Sequence, residues 1–264
     1  MQQALNLPSA LILSIVLLLV SIICNMALAK ESNAIPAESQ PQAITLAAED
    51  SWPPFANQFG QGISHRLIQA AFKQSHIEVN SLVVPYSRAL MMAEKGAVDG
   101  VFNVTRENST EQRFIFGNTP LFIATASFYQ KKQKPILADN KWALPKGTVI
   151  GVIKSYEYGD EFPTLVKQQQ LNIVTVANQQ QLINLLLIGR IDAALMFDLV
   201  AKENLKKMGV DDEIIPAFAN HSSDIFLAFS KGNPQAQTLA SQLDAGLSQL
   251  KATGQYDKLL LVAD

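Results

Sequence analysis

Four side chains of this sequence have the chemistry and the placement to bind a small ligand. Trp52 lies on a loop that two prolines stiffen, Arg106 and Arg113 follow the third predicted strand, and Asp198 follows a later one. An arginine guanidinium grips a carboxylate through two parallel hydrogen bonds, whereas an aspartate accepts from an ammonium group. One such cation and one such anion on opposite sides of a cleft would bind a zwitterion.

Each of these residues also has a purely structural interpretation. The Trp52 ring could cover a hydrophobic core, and the two arginines could form surface salt bridges with neighbouring glutamates. Asp198 could cap the helix that begins beside it. The sequence leaves both interpretations open for each residue.

The motifs of common enzymes are missing from the sequence. It contains no Gly-x-Ser-x-Gly nucleophile elbow, no phosphate-binding loop and no dinucleotide fingerprint, and its three histidines show no metal-binding spacing. We therefore expect a binding protein with no catalytic residue, no cofactor and no metal.

The composition argues against several classes of protein. The 264 residues carry a formal net charge of −2, with 48% hydrophobic and 17% charged residues. Nucleic-acid surfaces usually show an excess of basic residues, and disordered chains have few apolar ones. We therefore expect a folded core and no nucleic-acid partner, in either a membrane protein or an exported one.

The N-terminal segment favours export. Residues 10–23 are uncharged and apolar, which is short for a membrane span but suits a signal peptide, and Ala27-x-Ala29 fits a cleavage site. We predict a cleaved signal peptide at 1–29, a flexible polar leader at 30–42 and a periplasmic mature protein, with an uncleaved anchor as the alternative. The single cysteine, Cys24, leaves with the signal peptide unless it is lipidated.

Beyond the leader, apolar runs alternate with segments of helical periodicity, which predicts parallel sheets covered by helices. A polar break at 130–135 suggests a link between two α/β lobes, and a cleft between lobes is a usual place for a small ligand. The predicted strands are 43–48, 77–84, 98–104, 148–153, 172–176, 191–196 and 223–229; the predicted helices are 64–74, 87–94, 158–169, 178–188, 198–208 and one starting at 233.

A series of motifs in this chain resembles the bacterial extracellular solute-binding proteins of family 3, the polar-amino-acid type that feeds ABC importers. The matching segments are ITLAAEDSWPPF, VDGVFNVT, STEQRFIFGNTPLF, VIGVIKSYEYGDEF, GRIDAALMFD and the C-terminal run from SSDIFLAFSKG to QYDKL. The resemblance implies a type II periplasmic-binding-protein fold, in which two α/β lobes are joined by a two-segment hinge around an interlobe cleft. Lobe 1 would comprise 43–126 and 230–264, and lobe 2 would comprise 127–229.

The resemblance also implies which residues meet the ligand. The aromatic of the first loop, the carboxylate-binding arginine and the amino-binding acid would be Trp52, Arg113 and Asp198. Because the loop after the third strand is longer than usual, Arg106 competes with Arg113 for the anchor role, and the glycine usual near Ser155 is absent. The complete implied set is Trp52, Tyr86, Arg88, Asn103, Thr105, Arg106, Arg113, Ser155, Tyr156, Tyr158 and Asp198.

Three functions are compatible with this resemblance. The first is a monomeric periplasmic protein that captures an amino acid or related small compound and delivers it to the permease of an ABC importer. The second is an enzyme of the same fold, similar to the cyclohexadienyl dehydratases, with Glu157 as the acid. The third is a ligand-sensing accessory protein without a transporter.

Overall fold

A nine-stranded mixed sheet runs through the part of the chain that the structure describes, residues 42–261 of a computed structural model. The predicted signal peptide, nearly all of the predicted leader, and Cys24 lie outside the described residues. Within those residues, no helix is both long and apolar enough to cross a membrane.

The described chain alternates strands and helices as its periodicity predicts. The strands are β1 (Gln42–Glu49), β2 (Ser51–Trp52), β3 (Ala56–Asn57), β4 (Ile77–Val84), β5 (Gly100–Thr105), β6 (Phe114–Phe116), β7 (Phe122–Lys131), β8 (Val149–Ile153), β9 (Asn172–Val176), β10 (Ala193–Phe197) and β11 (Ile214–Ser230). The helices are α1 (Ile63–Lys73), α2 (Tyr86–Glu94), α3 (Asn108–Glu111), α4 (Phe162–Gln168), α5 (Gln179–Leu187), α6 (Asp198–Met208), α7 (Ala236–Ala252) and α8 (Gln255–Leu260), with a 3-10 turn at Lys141–Ala143.

The sheet combines two parallel groups of strands with an antiparallel centre. Its strand order is β4-β1-β5-β11-β7-β10-β8-β9, and β6 also pairs with β11. In one group β1 pairs in parallel with β4 and β5, and in the other β8 pairs in parallel with β9 and β10. These groups are the sheets of the two α/β lobes, and the long antiparallel strands β7 and β11 connect them. The prediction of parallel sheets therefore holds within each lobe but not at the centre.

Strand β11 differs most from its prediction. The sequence predicts a strand over 223–229, whereas β11 extends over Ile214–Ser230. The first part of this strand contains Pro216 and a run of polar residues, a composition typical of loops. Pairing with β7 over residues 214–225 nevertheless holds it extended, and residues 225–229 pair with β5 of the other lobe.

Most other elements match the sequence pattern closely. The structure confirms the strands at 77–84 and 172–176 and the helix at 198–208. The predicted helix 158–169 begins only at Phe162, because the chain makes a loop in which Gly159 has a φ of 92°. A φ in this range favours glycine, which has no Cβ to clash with the backbone.

The packing of α7 fixes the back of the first lobe. Leu239, Leu243 and Leu247 are buried along one face of α7, as their helical spacing predicts. Gly246 lies on the same helix where it meets α1, and a Cβ there would lie 2.3 Å from the carbonyl oxygen of Ala71. The close approach of the two helices therefore requires glycine at this position.

Candidate functional site

The carboxyl ends of four parallel strands from both lobes converge on one buried cavity. Glu49 ends β1, Thr105 ends β5, Phe197 ends β10, and the loop after β8 supplies two more residues. Ligands of α/β sheets bind beyond such strand ends. The residues that line the cavity are Glu49, Trp52, Tyr86, Asn103, Thr105, Tyr156, Glu157 and Phe197.

The cavity is small because side chains of the two lobes meet across it. Its volume is about 10 Å³, which is close to what one water molecule needs. A larger ligand therefore does not fit between these side chains in the arrangement of this structure.

Trp52 takes part both in the cavity wall and in the hydrophobic core. It belongs to the β2–β3 hairpin, whose turn contains a cis peptide bond between Pro53 and Pro54. Its ring is only 2% exposed and meets the edge of Phe197 of the other lobe, with 5.2 Å between the ring centroids. The core interpretation of this residue therefore holds, and its contact with a ligand stays a prediction. Its buried indole Nε1 has no hydrogen-bond partner within residues 42–261.

Asn103 points into the cavity because of a distortion in β5. The register of β5 against β11 shifts at this residue, and its backbone has a φ of 66°, which is uncommon for a residue other than glycine. The Ser64 hydroxyl donates to the side-chain oxygen of Asn103, whereas the buried Nδ2 donor has no partner. Asn103 and Trp52 both line the cavity, and each therefore carries a buried N–H donor that is unpaired within residues 42–261.

Glu49 is a buried acid that accepts a hydrogen bond across the cleft. Its residue is 2% exposed, and the Tyr156 hydroxyl of the other lobe donates to its Oε1 atom. Burial raises the pKa of this carboxyl to about 8, and the nearby carboxylates of Asp50 and Glu157 act in the same direction, whereas the tyrosine hydrogen bond opposes them. Glu49 is therefore largely protonated at neutral pH in this arrangement.

Glu157 makes the reciprocal contact from the second lobe. The Tyr86 hydroxyl of the first lobe donates to its Oε2 atom at 2.8 Å. Burial raises the pKa of Glu157 to about 8, against the effect of this hydrogen bond, and Glu107 adds to the rise. The rings of Tyr86 and Tyr156 meet edge to face with 5.2 Å between centroids, so each lobe offers one acid and one tyrosine to the other.

Two further contacts join the lobes outside the cavity. The backbone N–H of Gly159 donates to the carboxylate of Glu107, and Asn108 donates to Asp160 through both its backbone and its side-chain nitrogen. These contacts hold the loop after β8 against the start of α3.

The two predicted anchor arginines form ion pairs away from the cavity lining. The Arg113 guanidinium donates to Glu94 at the end of α2 at 2.9 Å and lies over the ring of Phe114. The Arg106 guanidinium donates to Glu111 at 2.6 Å, and its side chain is 39% exposed. The surface interpretation describes both side chains in this structure, and the anchor role stays a prediction.

The other predicted site residues separate into two groups. Trp52, Tyr86, Asn103, Thr105 and Tyr156 line the cavity. The remaining ones do not: Arg88 and Ser155 are exposed, Asp198 accepts from the Tyr129 hydroxyl, and the buried Tyr158 accepts from the Ile153 N–H.

Sequence reasoning missed the two residues that complete the cavity wall, Glu49 and Phe197. Both are the last residues of strands in parallel groups, and this position is the signal that could have identified them. The sequence offers Glu157 only as the acid of an enzyme. The structure instead places its carboxyl in the buried cavity. No cluster of three or more potential metal ligands occurs within residues 42–261.

Comparison with known proteins supports this architecture. The chain is similar to an ancestral arginine-binding protein bound to arginine, with 21% identity, a TM-score of 0.71 and coverage of 82% of this chain and 96% of that one. It is also similar to a histidine kinase sensor domain with similarity to periplasmic binding proteins, at 18% identity and a TM-score of 0.71 over 82% and 93% of the two chains.

A third solved structure is the amino acid ABC transporter substrate-binding protein AbpA of Streptococcus pneumoniae bound to L-arginine. It shares 21% identity and a TM-score of 0.67, over 83% of this chain and 92% of that one. No curated protein matches the chain.

A family model matches nearly the whole described chain. The match covers residues 44–261 and therefore includes both lobes and every residue that lines the cavity. With its two-lobed fold and its cavity at the strand ends, the chain belongs to the bacterial extracellular solute-binding proteins, family 3.

Proposed function

We propose that this protein captures a small amino-acid-like compound in its interlobe cleft in the periplasm and delivers it to an ABC importer. The observation that carries the proposal is the small cavity whose walls come from both lobes and whose glutamates and tyrosines pair across the cleft. A ligand in that position contacts both lobes only in the closed form, so binding favours closure.

Ligand binding should stabilise the purified mature protein. A ligand that binds only the folded state at 100 times its Kd contributes about 2.7 kcal/mol, so the melting temperature rises by several degrees. Differential scanning fluorimetry against the twenty amino acids and a set of small amines measures this rise, and small-angle scattering measures the accompanying decrease in radius of gyration.

A matched pair of variants tests whether the ligand binds in the cavity. Tyr156→Ala removes a cavity residue and should abolish the ligand-induced rise in melting temperature. Phe59→Ala removes an aromatic side chain that is 73% exposed and should retain the rise. If no compound of the panel changes the melting temperature of the unmodified protein, the proposed function is wrong. Uptake of the labelled ligand by cells lacking the gene then separates transport from sensing.

A dehydratase is the second candidate because Glu157 places an acid in the wall of the cleft cavity. With a pKa of about 8 its carboxyl is mostly protonated at neutral pH, as a general acid must be. The proposed activity is the elimination of water and carbon dioxide from prephenate, which chromatography of the product detects. Turnover that Glu157→Gln abolishes would establish the enzyme, whereas binding without turnover would favour the solute-binding protein.

A further inference from the structure

We propose that the cleft selects an organic cation whose other polar group is neutral, rather than a zwitterionic α-amino acid. The proposal rests on the function proposed above, since it specifies the ligand of the same cavity. It follows from the charges, the aromatic rings and the unpaired donors of the cavity wall.

The ionisable side chains of the cavity wall are two glutamates and two tyrosines. Glu49 and Glu157 contribute one carboxyl from each lobe, and none of the lining residues is an arginine or a lysine. The side chain of Arg113 lies close enough to lower the pKa of Glu157 slightly, but its guanidinium is paired with Glu94. A ligand carboxylate in this cavity would be buried beside two carboxyl groups, with no cation among the described lining residues to pair it, which is strongly unfavourable.

The aromatic residues of the wall also favour a cation. Trp52, Tyr86, Tyr156 and Phe197 all line the cavity. A cation that is removed from water gains electrostatic attraction from the faces of such rings. An ammonium or guanidinium group between the two carboxyls would therefore favour their ionised form and also meet π-systems.

Two neutral donors define the rest of the ligand. Trp52 and Asn103 line the cavity, and the indole N–H of the first and the amide nitrogen of the second are buried without a partner among the described residues. A buried donor without a partner is costly, so the ligand should supply an acceptor there. A hydroxyl, an amide carbonyl or an ether oxygen provides that acceptor without adding negative charge.

Binding of a cation should release protons. Both carboxyls are mostly protonated in the closed cleft at neutral pH, and a cation between them favours the ionised form. The ionisable groups around them are Tyr156, Asp50 and Glu157 for Glu49, and Tyr86, Glu107 and Arg113 for Glu157, with Tyr158 near both carboxyls. The affinity for a permanently charged cation should therefore rise as the pH is raised from 6 to 8.

Matched ligands that differ in one carboxylate test the proposal. Isothermal titration calorimetry at pH 7 compares L-arginine with L-argininamide and agmatine, and L-lysine with L-lysinamide and cadaverine. The amides keep a carbonyl acceptor but lose the negative charge, so at least one should bind at least tenfold more tightly than its parent amino acid. An amino acid that binds as tightly as its amide and its decarboxylated analogue would overturn the proposal while leaving the proposed function standing.

Single substitutions test which side chains recognise the positive charge of the ligand. Glu157→Gln and Glu49→Gln should each weaken binding of the best amide at least tenfold, whereas Glu78→Gln on the exposed surface of β4 should leave the Kd unchanged. Arg113→Ala should change the Kd less than threefold; a loss of a hundredfold would show that this arginine anchors a carboxylate and would overturn the proposal.

If none of the six compounds binds but another amino acid from the wider panel does, the cation proposal fails and the proposed function survives. If nothing from that panel binds, both fail.

Discussion

The two lobes build their walls of the cavity from different kinds of structure. The first lobe places Glu49 and Asn103 on central strands of its parallel group, where both residues are at most 5% exposed. The second lobe presents Tyr156 and Glu157 from the irregular loop after β8, and both residues are only half-buried. The ladder hydrogen bonds of the sheet therefore hold the first wall, whereas side-chain contacts hold most of the second.

This difference assigns different tasks to the two walls. A wall on strand ends keeps its geometry when the cleft opens, because β1 pairs with β4 as far as Glu49, and β5 pairs with β11 immediately before and after Asn103. The loop of the second wall depends on contacts that cross the cleft, such as those from Glu107 to Gly159 and from Asn108 to Asp160. We infer that the first lobe provides a preformed platform and that the second lobe adapts to the ligand.

The largest expected effect is a loss of unfolding free energy when Trp52 in the wall of the first lobe is truncated. Trp52→Ala removes a buried ring that contacts Phe55, Phe122 and Phe197, and such truncations cost about 3–5 kcal/mol of unfolding free energy. Trp142→Ala is the matched control, because that ring is 38% exposed, and it should cost less than about 1 kcal/mol. Urea denaturation followed by circular dichroism measures both, and equal costs would contradict the description of Trp52 as a core residue.

The next effect is a loss of stability as the pH rises from 6.5 to 8. Glu49 has a pKa of about 8 in the folded protein against an ordinary value near 4.5, so it keeps its proton where the unfolded chain has lost it. Stability therefore falls through this range, by up to about 2 kcal/mol for this carboxyl, and Glu157 acts in the same direction. Thermal melts of the ligand-free protein measure the slope.

Two histidines set the lower limit of this pH range, and two glutamate variants serve as controls for the slope. His65 and His221 have pKa values lowered to about 4 by burial, so they lower stability as the pH falls below 6.5 and do not act above it. Glu49→Gln should flatten the slope between pH 6.5 and 8, whereas Glu78→Gln should leave it unchanged. A melting temperature that stays constant or rises over this range in the unmodified protein would contradict the buried acids.

The smallest effect compares the two hydrogen bonds that cross the cavity. Tyr156→Phe removes the donor to the buried Glu49, and Tyr86→Phe removes the donor to the half-buried Glu157. Each should cost about 1 kcal/mol, with the larger cost at Tyr156, where the acceptor is less accessible to water. Urea denaturation measures the costs, and small-angle scattering should show a more open ligand-free protein.

Tyr129→Phe provides the control for these variants. It removes a hydroxyl that donates to Asp198 outside the cavity lining, so it should change stability without changing the radius of gyration. If Tyr86→Phe destabilises the protein more than Tyr156→Phe, the two walls do not differ as proposed.

The sequence predicted local features well and distant contacts poorly. The period of apolar residues placed α6 at its observed bounds, and the short motifs identified Trp52, Tyr86 and Tyr156, which line the cavity. The partner of an arginine side chain, in contrast, can lie far away in the sequence. Arg113 reaches Glu94, which is nineteen residues earlier in the chain, and no local pattern reveals that pairing.

The sequence by itself therefore determined the alternating strands and helices, the family and three of the four aromatic residues of the cavity wall, because these depend on periodicity and short motifs. Only the tertiary structure decided that Glu49 and Glu157 meet tyrosines of the opposite lobe and that the two predicted anchor arginines face other partners. The physical reason is that burial and charge pairing depend on which distant segments pack together. A glutamate at the end of a strand becomes a buried acid only when the second lobe closes over it.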